Sequence, residues 1–176
     1  WLSDWSSDVC SSDLLVAERI EPLCKSTTRR KLTRSDKYLF FDMGVRRVAA
    51  REGRQLVPVR LGQLFEQWVG LELLRSIRSK PVAMRLRFWR DPDGPEVDWL
   101  IDQDGVYTPI EVKWTDSPGV ADTRHLKTFM QEYPTTGSAY VVCRCPRKIR
   151  LADGILALPW QELPSVLLPS VDPGRS

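Results

Sequence analysis

Asp98, Glu111 and Lys113 are the residues around which chemistry can be built. Asp98 lies in the run Pro95–Ile101, and Glu111-Val112-Lys113 lies in the run Pro109–Trp114. Between them, Asp102-Gln103-Asp104-Gly105 is a turn signal, so the stretch predicts a β-hairpin. Residues two apart on a strand share a face. Glu111 and Lys113 then point one way, and Ile110, Val112 and Trp114 the other. On the first strand Glu96, Asp98 and Leu100 are expected on one face, and Val97, Trp99 and Ile101 on the opposite one. Pairing the apolar faces brings Asp98 beside Glu111 and Lys113. Two carboxylates and an ammonium so placed suit Mg²⁺-assisted phosphodiester hydrolysis. Asp98 and Glu111 would hold the metal, which takes carboxylate oxygens and keeps several waters. Lys113 would orient or deprotonate the attacking water and neutralise developing charge.

The elements that must carry these residues are legible as periodicities. Leu61 to Ser79 repeats Leu61, Leu64, Phe65, Trp68 and Leu71 at helical spacing, with Glu66 flanked by Gly62, Val69 and Gly70. Those small neighbours predict a shallow groove around the Glu66 carboxylate. Asp36–Gly44 reads as an aromatic-rich strand ending at a turn, and Val45–Arg54 as a short basic helix or turn. Met84–Arg90 alternates as a strand, Asp91-Pro92-Asp93-Gly94 is a turn, and Asp122–Tyr133 is a second helix with Leu126, Phe129 and Met130 as its stripe. Gly137–Cys143 is a buried strand, and Ile149–Trp160 a further hairpin or a strand ending at a loop. Gln161–Leu167 closes with a short helix. The order, α-β-β-β-α-β-β, predicts an α/β domain with a mixed central β-sheet flanked by helices.

The chain has 176 residues, enough for one domain with a small appendage. It has no apolar run of about 18 residues, the length a membrane helix needs, so no membrane partner is expected. Asp4–Leu14 resembles the translation of a common short-read sequencing adapter, so residues 1–14 are set aside from fold and function. That removes Asp4, Asp8 and Asp13 but no base, leaving 26 Lys+Arg against 20 Asp+Glu and a net charge of +6. This permits a polyanionic partner without demanding one. With Cys10 also set aside, Cys24, Cys143 and Cys145 remain, a number that fits a reducing cytoplasm better than a disulfide scaffold.

The pattern of Asp98 with Glu111-x-Lys113 resembles the PD-(D/E)XK nuclease superfamily and its restriction-endonuclease-like fold. The strict Pro-Asp dipeptide is absent: Val97 precedes Asp98. The resemblance implies a metal-assisting carboxylate on the first core helix, and Glu66 matches that position. Lys37–Val45, Gly62–Val69, Phe88-Trp89-Arg90 before Glu96-Val97-Asp98, and Ile110–Lys113 together look like the uncharacterised C-terminal domain that follows the AAA-type ATPase module in prokaryotic ATPases. This likeness covers roughly residues 15–165. It implies an ATPase module normally in the same chain, residues 15–34 as the remnant of a winged-helix-like linker, a nuclease-like domain at 35–168 and a tail at 169–176. No Gly-x-x-x-x-Gly-Lys-Ser/Thr loop is present, so ATP is not an expected cofactor of this sequence.

Other residues carry further expectations. Arg85, Arg87 and Arg90 precede the hairpin and are expected to contact DNA phosphates, with an ordinary basic surface or an ATPase-docking face as the alternative. His125, the sole histidine, is read as solvated or DNA-facing rather than as a ligand. Cys143-x-Cys145 lacks a second ligand pair, so buried strand-end cysteines are preferred over a zinc site. Two functions follow: a DNA-binding, Mg²⁺-dependent nuclease domain, or a catalytically silent interaction module of the ATPase.

Overall fold

The computed structural model describes residues 17–23, 36–44, 57–91 and 94–164. The adapter-like residues 1–14, the basic segment 45–54, Cys24 and the tail lie outside them. Two short strands, β1 (Ala17–Ile20) and β2 (Lys37–Phe40), pair antiparallel into a ribbon. Helix α1 (Pro58–Arg78) follows, then β3 (Arg85–Arg90), β4 (Glu96–Gln103) and β5 (Val106–Val112). A 3₁₀ turn (Val120–Thr123) leads into α2 (Arg124–Glu132), then β6 (Ala139–Cys143), β7 (Ile149–Ala152) and β8 (Ile155–Pro159). The six strands from β3 onward form one sheet in the order β3-β4-β5-β6-β8-β7. Pairing is antiparallel from β3 to β5, parallel across β5-β6-β8, and antiparallel at β7. The domain is thus α/β with a mixed sheet and two helices.

Each face of the sheet is dry. Phe65, Val69, Leu73 and Ile77 of α1 pack on Phe88, Trp99, Ile101, Ile110 and Val112. On the other face Leu126 and Phe129 of α2 meet Trp89, Val97, Leu100 and Val141. Ile20 and Leu39 extend the first cluster and fasten the ribbon to the domain. Pro58 opens α1, where its missing N–H costs nothing. The β4-β5 turn has positive φ at Asp104 (51°) and Gly105 (82°), the paired left-handed conformation of a two-residue hairpin loop. β6 is buried along its whole length, as the central strand of a parallel stretch must be. The Ile149–Pro159 stretch is a hairpin, turned at Gly154.

The regular alternation expected along β4 is broken. Arg87 pairs with Leu100 but Trp89 pairs with Val97, so Asp98 and Trp99 together oppose the single residue Phe88. This bulge turns Val97 and Leu100 to the α2 face while Trp99 and Ile101 face α1. The expected faces of Glu96, Asp98 and Leu100 against Val97, Trp99 and Ile101 therefore do not form. The extra residue shifts the side-chain phase by one, and such bulges re-aim side chains.

Gly70 also departs from expectation. Its absent side chain does not open a groove at Glu66; a Cβ there would lie 2.6 Å from the Trp99 indole and 3.0 Å from Leu39. The close approach lets Trp99 Nε1 donate to the Glu66 carbonyl at 3.1 Å, which fixes α1 against the bulge. Gly70→Ala is expected to destabilise the fold by about 1–3 kcal/mol, the usual cost of overpacking a filled core. Chemical denaturation checks this; a midpoint equal to wild type would mean that α1 can shift freely.

Candidate functional site

The site lies where β4 begins and β5 ends, beside α1 and α2. The regular β4-β5 ladder stops at the pair Trp99–Ile110. Beyond it the Asp98 carboxylate, freed by the bulge, accepts the Val112 N–H at 2.8 Å in place of a backbone carbonyl. Glu111, one residue earlier, faces away from the α1 cluster that holds Ile110 and Val112. It is buried, 4% exposed, and its Oε1 accepts from Lys113 Nζ at 2.7 Å. His125 Nδ1 stands 3.9 Å from the same oxygen. Glu111 Oε2 is buried with no hydrogen-bond partner. As expected, Glu111 and Lys113 share a side, while Trp114 packs edge-on against Phe65 of α1.

Burial and the adjacent Glu111 and Glu66 carboxylates hold the Asp98 carboxyl well above the ordinary range, against the opposing pull of Lys37 and the Val112 N–H. Burial also raises Glu111, although Lys113 and His125 work the other way. Burial penalises the Lys113 ammonium, but Glu111, Asp98 and Asp122 outweigh that and keep it charged. Asp98, Glu111, Glu66 and Lys113 are thus electrostatic neighbours in one place, and the two strand carboxylates repel each other.

Lys37 is the site residue that sequence reasoning missed. From β2 its Nζ reaches Glu66 Oε1 at 2.9 Å, Glu96 Oε1 at 2.8 Å and the Asp98 carbonyl at 3.4 Å. It sits 5.0 Å from the Trp99 ring centroid and 5.3 Å from that of Phe88. Burial disfavours its charge, yet Glu66, Asp98 and Glu96 raise it above the ordinary lysine value. Glu66 is therefore engaged by an ammonium, and Glu96 is held below the usual carboxylate range by Lys37 and Arg90 despite its burial. Lys37→Met is expected to cost on the order of 1–3 kcal/mol, because charged hydrogen bonds are lost and two half-buried carboxylates are left facing each other. Thermal unfolding measures it; an unchanged melting temperature would mean that water replaces the ammonium without loss.

Among the described residues no three His, Cys, Asp or Glu side chains group as a metal-holding set. What the site offers is Asp98 and Glu111. Mg²⁺ commonly uses only one or two carboxylates and fills its shell with water. Glu111 Oε2, buried without a hydrogen-bond partner, is the oxygen of this pair left open to a cation.

The three arginines of β3 do not converge. Arg87 Nε donates to Asp102 at 3.0 Å, and Arg90 donates twice to Glu96 at 2.9 and 3.0 Å. Arg85 is exposed, opposite Asp102 in the register. Cys143 and Cys145 are buried and free, and burial pushes the Cys143 thiol up to about 12, which leaves it unreactive at neutral pH.

A model of a domain of unknown function, DUF4143, matches residues 61–163, more than half of the sequence. The chain belongs to the DUF4143 family. The matched segment carries Glu66, Asp98, Glu111 and Lys113, whereas Lys37 and the β1-β2 ribbon precede it. Neither a curated protein nor a solved structure matches the chain. No helix among the described residues is long and apolar enough to cross a membrane.

Proposed function

We propose that this DUF4143 domain binds DNA and hydrolyses its phosphodiester bonds with Mg²⁺ at a PD-(D/E)XK-like site, working beside an AAA-type ATPase module in a reducing cytoplasm. The observation that carries the reading is the buried Glu111, held by Lys113 and electrostatically coupled to Asp98 across the end of the β4-β5 ladder. Asp98 and Glu111 would hold the cation. When bound, Mg²⁺ would acidify a water and neutralise charge on the phosphate oxygens. Lys113, fixed by Glu111, would neutralise negative charge as it grows on the phosphoryl group. The Val112 N–H holds the Asp98 carboxylate in place, so the acceptor does not swing away from the strand end. Glu66 assists at one remove: its side chain is clamped by Lys37 and adds negative potential to the pair.

One observation favours the second reading, a silent docking module of the ATPase. Lys37 already pairs with Glu66 and Glu96, which leaves fewer carboxylates for cations. Incubation of purified chain with supercoiled plasmid in Mg²⁺ or Mn²⁺ separates the readings. Cleavage that vanishes with chelator and in Asp98→Asn supports the nuclease. Absence of cleavage under every divalent cation, with the variant and wild type alike, favours the docking module.

A further inference from the structure

Beside Glu111 a cleft of about 560 Å³ opens between the end of β5 and α2. Lys113, Arg124, His125 and Lys127 line it, so one wall is cationic. Asp122 lies in the same cleft but turns its Oδ2 to the Gly119 N–H at 2.8 Å. Arg124 Nη2 is 3.4 Å from His125 Nε2, and His125 Nδ1 is 3.9 Å from Glu111 Oε1. Among the described residues Arg124 and Lys127 enter no ion pair. Glu111, whose Oε2 is buried without a partner, lines the same cleft. A ligand that satisfies this cleft carries a cation to the carboxylate and negative oxygens to the basic wall.

We propose that the α2 cleft, through Arg124, Lys127 and Lys113, is the lane that holds the DNA backbone on either side of the phosphate presented to Glu111, and that the β3 arginines are not. Charge favours the α2 cleft, because two of the three β3 arginines are paired within the fold. Arg87 and Arg90 are neutralised within the fold by Asp102 and Glu96, whereas Arg124 and Lys127 remain available to phosphate. Phosphate contacts of this kind position the duplex and carry no sequence information. The proposal rests on the nuclease reading of the site.

The test uses the full 176-residue chain, a labelled DNA duplex, Ca²⁺ for binding and Mn²⁺ for cleavage. Arg124→Ala/Lys127→Ala is expected to weaken binding about tenfold or more and to lower the salt slope by about two, one for each phosphate contact removed. Arg85→Ala is expected to stay within about twofold of wild type at the same salt. Arg124→Lys/Lys127→Arg, which restores charge, should recover most of the affinity and so exclude misfolding as the cause. Wild-type binding and cleavage by the alanine pair would overturn the lane and leave the nuclease standing. Weakened binding by the pair, with no cleavage by wild type, would keep the lane and remove the nuclease. A larger loss from Arg85→Ala than from the pair would overturn the lane in favour of β3. No binding by wild type at low salt would overturn both.

Discussion

Lys113→Ala should lower Mg²⁺-dependent DNA cleavage by about 10²-fold or more, the usual cost of deleting one fixed donor aimed at developing charge. The ammonium is held at 2.7 Å by Glu111 and kept charged by Glu111, Asp98 and Asp122, so it is pre-organised before substrate arrives. Its loss removes a positive charge from the strand end without removing either carboxylate. Cation affinity should therefore be retained or rise, because Asp98 and Glu111 no longer share their field with an ammonium. Mn²⁺ titration beside the cleavage assay separates the two effects: activity falls while binding holds. A Lys113→Ala protein that cuts at the wild-type rate would show that the observed nuclease activity does not come from this site.

The same strand end shows how far the sequence could be read. The helix at 58–78, the hairpin and the buried β6 follow directly from period and turn chemistry, because each depends on neighbours within a few residues. The juxtaposition of Glu111 and Lys113 follows as well, from the two-residue period of a strand. Asp98 comes beside them through the bulge and not through regular alternation. Glu96-Val97-Asp98-Trp99 alternates well enough to look regular, and only the pairing with β3 shows that Asp98 and Trp99 share one partner. A bulge is a property of two strands, so one strand's pattern cannot announce it.

Lys37 was illegible for a related reason. It stands in an aromatic strand where a lone lysine reads as an edge charge, and its three oxygen partners come from α1 and β4. No spacing rule connects those elements. Gly70 is visible beside Glu66, but its role depends on the Trp99 ring lying against it. The ion pairs of Arg87 and Arg90 are hidden in the sequence because their partners, Asp102 and Glu96, become neighbours only once the register is fixed. Local chemistry was visible in the sequence; cross-element compensation of charge was not.

Asp98→Asn joins stability to function, and its expected effect has a sign that changes with conditions. Asparagine keeps an oxygen for the Val112 N–H but carries no charge. In wild type, burial together with Glu111 and Glu66 holds the folded Asp98 above its unfolded value. The folded state then binds more protons than the unfolded state between those two values, so wild-type stability falls as pH rises through that window. Below the unfolded value the carboxyl is neutral in both states and the variant should match wild type. Near pH 8, without divalent cation, the variant should melt higher by a few degrees, since about 1 kcal/mol is worth roughly 2–4 °C at this size. Added Mg²⁺ should raise wild type by mass action and leave the variant nearly unmoved, because one of the two carboxylates proposed to hold the cation is gone. Cleavage should be lost in the variant at every pH. Paired melting curves at acid and alkaline pH, each with and without Mg²⁺, read all of this from two proteins. A variant that melts below wild type at pH 8 without metal would show that Asp98 stabilises the fold as a structural ion, and the strand end would then be a charge network of the core, not a site kept under repulsion for a cation.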